Sequence, residues 1–166
     1  WLRALLCERL GCAPQSVPIL ATPGSPPVAP RSGWHFSLSH SSIYGMVALS
    51  RSGPIGIDIE ADQHVQDAMS MACNLFHPSE RDWISSHRPD TRSAAFLQLW
   101  VRKEAAVKAI GQGLATSLDS WSVLKSPNGV EPRVDVELHG QVWRVHALAA
   151  PPGHFAALAI RCLDAR

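Results

Sequence analysis

Two periodicities held in one chain constrain this protein more than any other feature. Residues 55–60 alternate strictly: Ile55, Ile57 and Ile59 fall on one side and Asp58 and Glu60 on the other, which is the period of a strand. Residues 91–110 repeat their apolar positions at helical spacing and are closed by Gly111, a residue suited to the left-handed turn that ends helices. A chain carrying both must pack helix against sheet. Within the helical stretch, Trp100, Glu104 and Lys108 stand at i, i+4 and i+8 and project from one face. Two carboxylates on a strand and a third on a helix form a seat for a hard divalent cation. A lysine one turn beyond the third carboxylate is placed to meet a phosphate.

The remaining elements follow from the same reading. Residues 2–10 have helical period and Gly11 stops them; the prolines between Pro14 and Gly33 predict an irregular surface connection. Residues 34–39 alternate with Trp34, Phe36 and Leu38 on one side, predicting a strand, and His40-Ser-Ser then reads as a turn or a helix start. Residues 45–50 and 55–60 give two more strands about the tight turn Arg51-Ser-Gly-Pro54. A helix is expected over 63–74. Pro78 at a first helical position and Glu80 at the third predict a capped helix to about Ser86. Residues 119–124, 133–138, 141–149 and 154–162 are expected strands, with His139-Gly140 as a hairpin turn between two of them. The fold class is therefore α+β.

Composition narrows the function. With 166 residues, 46% of them hydrophobic, the chain can bury a core. Its net charge of +1 with both signs mixed predicts no general nucleic-acid or membrane-surface partner. Apolar runs fall short of the roughly 20 residues of a membrane span, and no secretory leader is visible. Four cysteines without a CxxC pair predict free thiols in a reducing, cytoplasmic setting. The chain opens at Trp1 inside a helical pattern with no initiator Met, so further residues are expected to precede it.

In chain order, Phe36-Ser-Leu-Ser-His-Ser41, Gly56-Ile-Asp-Ile-Glu60, Phe76-x-x-x-Glu80, Leu99-Trp-Val-Arg-Lys-Glu-Ala-Ala-Val-Lys108 and Gly111-x-Gly-Leu114 resemble the signature of the Sfp-type 4′-phosphopantetheinyl transferases. The match runs from about Arg3 to about Ile160. The resemblance implies transfer of the phosphopantetheine arm of coenzyme A to a serine of an apo acyl or peptidyl carrier protein, releasing 3′,5′-ADP. It implies two similar α+β halves packed as a pseudo-dimer, with coenzyme A and Mg²⁺ in the cleft between them. Residues 1–53 would be the remainder of an incomplete N-terminal half, and 54–166 the C-terminal half carrying the metal site. Two halves in one chain favour a monomer.

By that resemblance Asp58, Glu60 and Glu104 are the metal ligands, and Glu104 is the base for the carrier serine. Lys108 stabilises charge on the pyrophosphate or protonates the leaving group. Ser39, His40, Lys103, Lys108 and Arg3 are the implied coenzyme A contacts, although Lys103 points about a quarter-turn away from Glu104. Carboxylates alone do not separate Mg²⁺ from Mn²⁺. Two departures from the pattern remove a lysine each: Gly24-Ser25-Pro26 stands where the family has G-K-P, and Gly111-Gln112-Gly113-Leu114 where it has G-K-G-L. Arg31 or Arg102 is the expected compensation.

Each residue also has an ordinary reading. Asp58 and Glu60 suit the solvent face of an edge strand, Glu104 and Lys108 a surface pair, His40 a cap or core histidine, and Glu80 a helix cap. Trp100 is expected to pack in the core and shape the cleft. Two other functions compete: a coenzyme A or carrier-protein binding module without catalysis, and a metal-dependent phosphohydrolase or nuclease. The second lacks the basic groove it needs.

Overall fold

The computed structural model describes residues 2–20, 27–30, 32–111, 117–126 and 129–162. The element order is α1 (Leu2–Leu10), β1 (His35–Ser41), β2 (Tyr44–Ser50), β3 (Ile55–Ala61), α2 (Ala68–Leu75), α3 (Pro78–Ser86), α4 (Arg92–Ile110), β4 (Arg133–Leu138), β5 (Gln141–Leu148) and β6 (His154–Arg161). The α+β expectation holds. β3, β6, β5 and β4 form an antiparallel four-stranded sheet in that order, and β1 and β2 form a separate antiparallel ladder. Within the described residues the two parts are unequal: 1–53 contribute one α-helix and the ladder, and 54–166 three α-helices and the sheet.

Local chemistry accounts for most boundaries. His77 caps α3, accepting from the Ser79 N–H, while Glu80 reaches back to the His77 N–H, a reciprocal capping box around Pro78. Gly111 ends α4 in the left-handed region at φ 76°. The hairpin turn between β4 and β5 needs two consecutive positive φ angles, which His139 (53°) and Gly140 (70°) supply.

Three expectations are corrected. The strand expected at 119–124 is a short 3-10 turn, Leu118–Ser120, followed by irregular chain. Its carbonyls and N–H groups are engaged by buried side chains instead of a neighbouring strand, as described below. The helix expected from residue 63 starts at Ala68, after Asp67 in a left-handed conformation. His40 lies within β1, which runs on to Ser41 before the turn at Ser42.

The main core is the space between α2, α3, α4 and one face of the sheet, filled by Phe76, Ile84, Phe96, Leu99, Val101, Trp121, Trp143 and Val145. A satellite cluster of Leu6, Val17 and Ala29 joins α1 to Trp34 and Phe36. Helix α4 lies across β3 and β6. Alanines on both sides (Ala105, Ala106 and Ala109 on the helix; Ala157 and Ala159 on β6) permit a short separation. Contact is closest at Gly56, where a Cβ would stand 1.9 Å from the Ala105 carbonyl oxygen and 2.5 Å from the Ala109 nitrogen. Only glycine fits there. Backbone-on-backbone approach at Gly56 brings Glu104 and Lys108 beside Asp58.

Candidate active site

Strand β3 sends Asp58 and Glu60 toward α4, and α4 answers with Trp100, Glu104 and Lys108. With Leu38, Ser39 and His40 of β1 these line an open cleft of about 290 Å³. Lys108 Nζ donates to Asp58 Oδ1 at 2.6 Å, and Ser39 Oγ donates to the same oxygen at 2.7 Å. Ser41 Oγ donates to Glu60 Oε2 at 3.2 Å. Asp58 is only 3% exposed, so the solvent-facing reading of this strand face is wrong for it. Helix α4 covers that face.

The arrangement is short of positive charge. Asp58 Oδ2 and Glu104 Oε1 are buried without a hydrogen-bond partner among the described residues, and such atoms are costly unless something else coordinates them. Burial, and then the Asp58 charge, hold the Glu104 carboxyl above the usual range; Lys108 pulls the other way. Glu60 is raised for the same two reasons, against the Ser41 hydrogen bond and Lys108. Among the described residues no three His, Cys, Asp or Glu side chains are gathered closely enough to hold an ion as they stand. Lys108 and Ser39 occupy one Asp58 oxygen. The donor set still suits a hard cation: carboxylate oxygens, two of them orphaned, with room for water and phosphate oxygens in the cleft.

Two further cavities share the Lys108 wall. One, of about 610 Å³, runs between Val28, Ala29, Trp34, Phe36, Ile55 and Ile110. A smaller one at Phe36, Ser37 and Leu38 joins the same wall. Lys108 therefore stands where a mainly apolar cavity meets a carboxylate cleft.

The implied coenzyme A contacts divide into two groups. Ser39, His40 and Lys108 line the cleft. Lys103 does not reach it: the residue is wholly buried, ion-paired with Glu80 Oε2 at 2.9 Å, and donates to the Leu118 and Trp121 carbonyls at 2.7 Å each. The Trp121 ring lies 4.1 Å beneath its ammonium. Burial pushes this lysine below its ordinary value while Glu80 pulls it back. Glu80 is equally buried and accepts from the Val123 N–H at 2.7 Å. This pair replaces the strand expected at 119–124. Glu80 is a cap, as expected, and also the counter-ion of Lys103.

Arg3 also lies elsewhere, donating to the Val17 carbonyl at 2.6 Å and tying α1 to the following chain. Arg102 does not compensate for a lost lysine. It is buried, donates to the Gln98 and Glu131 carbonyls, and is pushed down to about 10 by desolvation. Gly24-Ser25-Pro26, Arg31 and residues 112–114 lie outside the described residues. Trp100 stacks on Phe96 and Phe76 while walling the cleft, the dual role expected of it.

Sequence reasoning missed the hydroxyls of β1. Ser37, Ser39 and Ser41 form the face of β1 that meets β3, while Leu38, expected on one side with Trp34 and Phe36, is 37% exposed. The serine alternation was as regular as the apolar one: Trp34 and Phe36 pack on the satellite cluster while the serines meet β3.

Comparison with known proteins supplies the family. Residues 54–159 match the model of the 4′-phosphopantetheinyl transferase superfamily. A 4′-phosphopantetheinyl transferase of Bacillus subtilis is 35% identical over 115 residues, covering 69% of this chain and 49% of its own length. The 4′-phosphopantetheinyl transferase HetI of Nostoc is 34% identical over 118 residues, 69% of this chain and 50% of its own. The 4′-phosphopantetheinyl transferase AcpT of Salmonella typhi is 34% identical over 113 residues, covering 67% and 58% respectively. The chain spans about half the length of the curated relatives it matches. The matched region starts one residue before β3 and takes in α4, so it contains every carboxylate of the cleft: this chain belongs to the 4′-phosphopantetheinyl transferase superfamily.

Proposed function

We propose that this protein transfers the 4′-phosphopantetheine arm of coenzyme A to a serine of an apo acyl or peptidyl carrier protein, as a holo-[acyl-carrier-protein] synthase does, releasing 3′,5′-ADP. One observation carries the reading: three carboxylates and a lysine from two elements share one cleft, and that lysine also walls a large, mainly apolar cavity. Such a junction suits a substrate with a pyrophosphate in its middle and an extended organic part.

In the reaction the serine Oγ attacks the β-phosphorus of coenzyme A. A new phosphoester bond forms, the anhydride bond to 3′,5′-ADP breaks, and the serine proton passes to a base. Glu104 is the base in this reading: its unpartnered buried oxygen can accept that proton directly or through water. Lys108 balances charge as it develops on the 5′-phosphate of the departing 3′,5′-ADP. His40 borders the same cleft and binds the phosphates of the substrate, with Ser39 beside them holding Asp58. Asp58, Glu60 and Glu104 would hold Mg²⁺, or Mn²⁺ in its place. When bound, that ion neutralises the pyrophosphate as the anhydride opens.

The same reading treats 54–166 as the unit carrying the metal site and 1–53 as the remainder of an N-terminal half. In its support, the sheet and helices α2–α4 all fall within 54–166. It takes the protein to be a cytoplasmic monomer; its four cysteines are free, and no described helix is long and apolar enough to cross a membrane.

A second reading, coenzyme A or carrier-protein binding without turnover, is favoured by Lys103 and Arg3, both held away from the cleft. Intact-mass spectrometry of an apo carrier protein incubated with the protein, coenzyme A and Mg²⁺ separates the two. Transfer predicts a gain of one phosphopantetheine, abolished by chelator or by Glu104→Ala. No gain on acyl and peptidyl carriers alike, with coenzyme A binding detected by calorimetry, overturns it in favour of the binding module.

A further inference from the structure

Among the described residues the outer edge of β3 is not paired with a backbone strand. Its N–H groups at Ile57, Ile59 and Ala61 are accepted instead by the hydroxyls of Ser37, Ser39 and Ser41, at 3.1, 3.3 and 2.9 Å. The three serines share one face of β1 and advance two residues at a time, in step with β3. Each hydroxyl retains one proton to donate. Ser39 gives its proton to Asp58 and Ser41 gives its proton to Glu60, each serving the carboxylate that precedes the N–H it accepts. At the Ser37 step that preceding residue is Gly56, which has no side chain.

We propose that Ser39 and Ser41 are positioning residues for the cation site: each fixes one oxygen of a β3 carboxylate and leaves its other oxygen for the ion. This rests on the metal-site reading above. At Asp58 the consequence is visible in the structure, since Ser39 and Lys108 both take Oδ1 and Oδ2 is the orphaned atom. A carboxylate on a strand with one oxygen pinned has lost most of its rotational freedom, so less order remains to be imposed when an ion binds. Groups that orient metal ligands in this way change affinity by about 10–100-fold when removed. Ser37 makes the same backbone contact with no carboxylate to serve, so it is an internal control for the purely structural part of the ladder.

The test is Mn²⁺ titration of the purified protein without coenzyme A, followed by the electron paramagnetic resonance signal of free Mn²⁺, beside thermal unfolding. Ser41→Ala and Ser37→Ala each orphan one β3 N–H and should lower the melting temperature comparably. Only Ser41→Ala should weaken Mn²⁺, by about 10-fold or more, and Ser41→Thr, which keeps the hydroxyl, should restore most of the loss. Ser41→Cys, close in size and a poor donor, replaces Ser41→Ala if that variant does not fold. Equal Mn²⁺ affinity in the Ser37 and Ser41 variants overturns the positioning role while leaving the metal site standing. Failure of the wild-type protein to bind Mn²⁺ at all overturns the carboxylate reading, and the positioning role with it.

Discussion

Helix α4 carries two lysines that each pair with a carboxylate from another element, and the two pairs are opposites. Lys103 and Glu80 are both fully buried; every charged atom has a partner in the Leu118 and Trp121 carbonyls and the His77 and Val123 N–H groups. Lys108 is about a third exposed, and its partner Asp58 keeps one buried oxygen with no partner beside an equally orphaned Glu104. The first pair is closed and joins α3, α4 and the 117–126 segment. The second is open to a cleft. A saturated charge pair can only support structure, whereas an unsaturated one retains capacity for a ligand.

The largest effect that would break this contrast is on the closed pair. Glu80→Ala strands the Lys103 ammonium in the core and removes a cap and a Val123 contact, so stability should fall by about 3–5 kcal/mol. Chemical denaturation measures this directly. A midpoint close to wild type would mean that the pair is not the structural joint described above.

Glu104→Gln tests the open side. Transfer to a carrier protein should fall about 10³-fold, the scale of a lost general base. Stability should hold or rise slightly, because burial and the Asp58 charge both oppose the ionised form that the substitution removes. Parallel assays of phosphopantetheine incorporation and thermal unfolding read the two axes. A collapse in melting temperature would make Glu104 structural, like Glu80.

The sequence foreshadowed the open pair far better than the closed one. Trp100, Glu104 and Lys108 lie on one helical face, and helical period is local, so their convergence was legible. The alternation of Asp58 and Glu60 was legible as well, but not the burial of Asp58: that depends on α4 covering the strand at Gly56, a contact between residues about fifty apart. Lys103 pairs with Glu80 across 23 positions, and adjacency to Glu104 suggested a phosphate contact that tertiary packing forbids. The 119–124 segment had strand-like composition, yet those two side chains take its Trp121 carbonyl and Val123 N–H, and the Ser122 hydroxyl takes the Leu124 N–H. In β1 the apolar and hydroxyl patterns were equally regular; local periodicity cannot choose between faces when β3 offers an unpaired edge of N–H groups.

Gly56→Ala probes the joint between the two regions. Its Cβ would sit 1.9 Å from the Ala105 carbonyl oxygen, backbone that cannot swing aside, so helix and strand must separate. A loss of about 3 kcal/mol is expected, with transfer reduced beyond what the folded fraction explains, because Glu104 and Lys108 ride on the displaced helix. Gly140→Ala sharpens the result: no described residue lies within 4 Å of its Cβ, so only the strain of its positive φ (70°) is felt, about 1 kcal/mol. Comparable losses from both would remove the close contact as the reason for glycine at 56.

The smallest effect belongs to a third ion pair that completes the series. Arg144 and Asp135 are cross-strand partners on β5 and β4, bound through two contacts of 2.8 Å, and both side chains are more than a third exposed. The Arg144 hydrogen bond holds the Asp135 carboxyl below the usual aspartate range. A depressed folded-state value contributes stability above the unfolded aspartate value, and that contribution is lost as pH falls through the folded one. Arg144→Met should therefore lower the melting temperature only slightly at neutral pH, less in high salt, and not at all once Asp135 is protonated in both states. Thermal unfolding across acid pH at two ionic strengths checks the sign. A drop near that of Glu80→Ala would break the ordering of the three pairs, since solvent, which screens this pair and is shut out of the Lys103–Glu80 pair, is what should rank them.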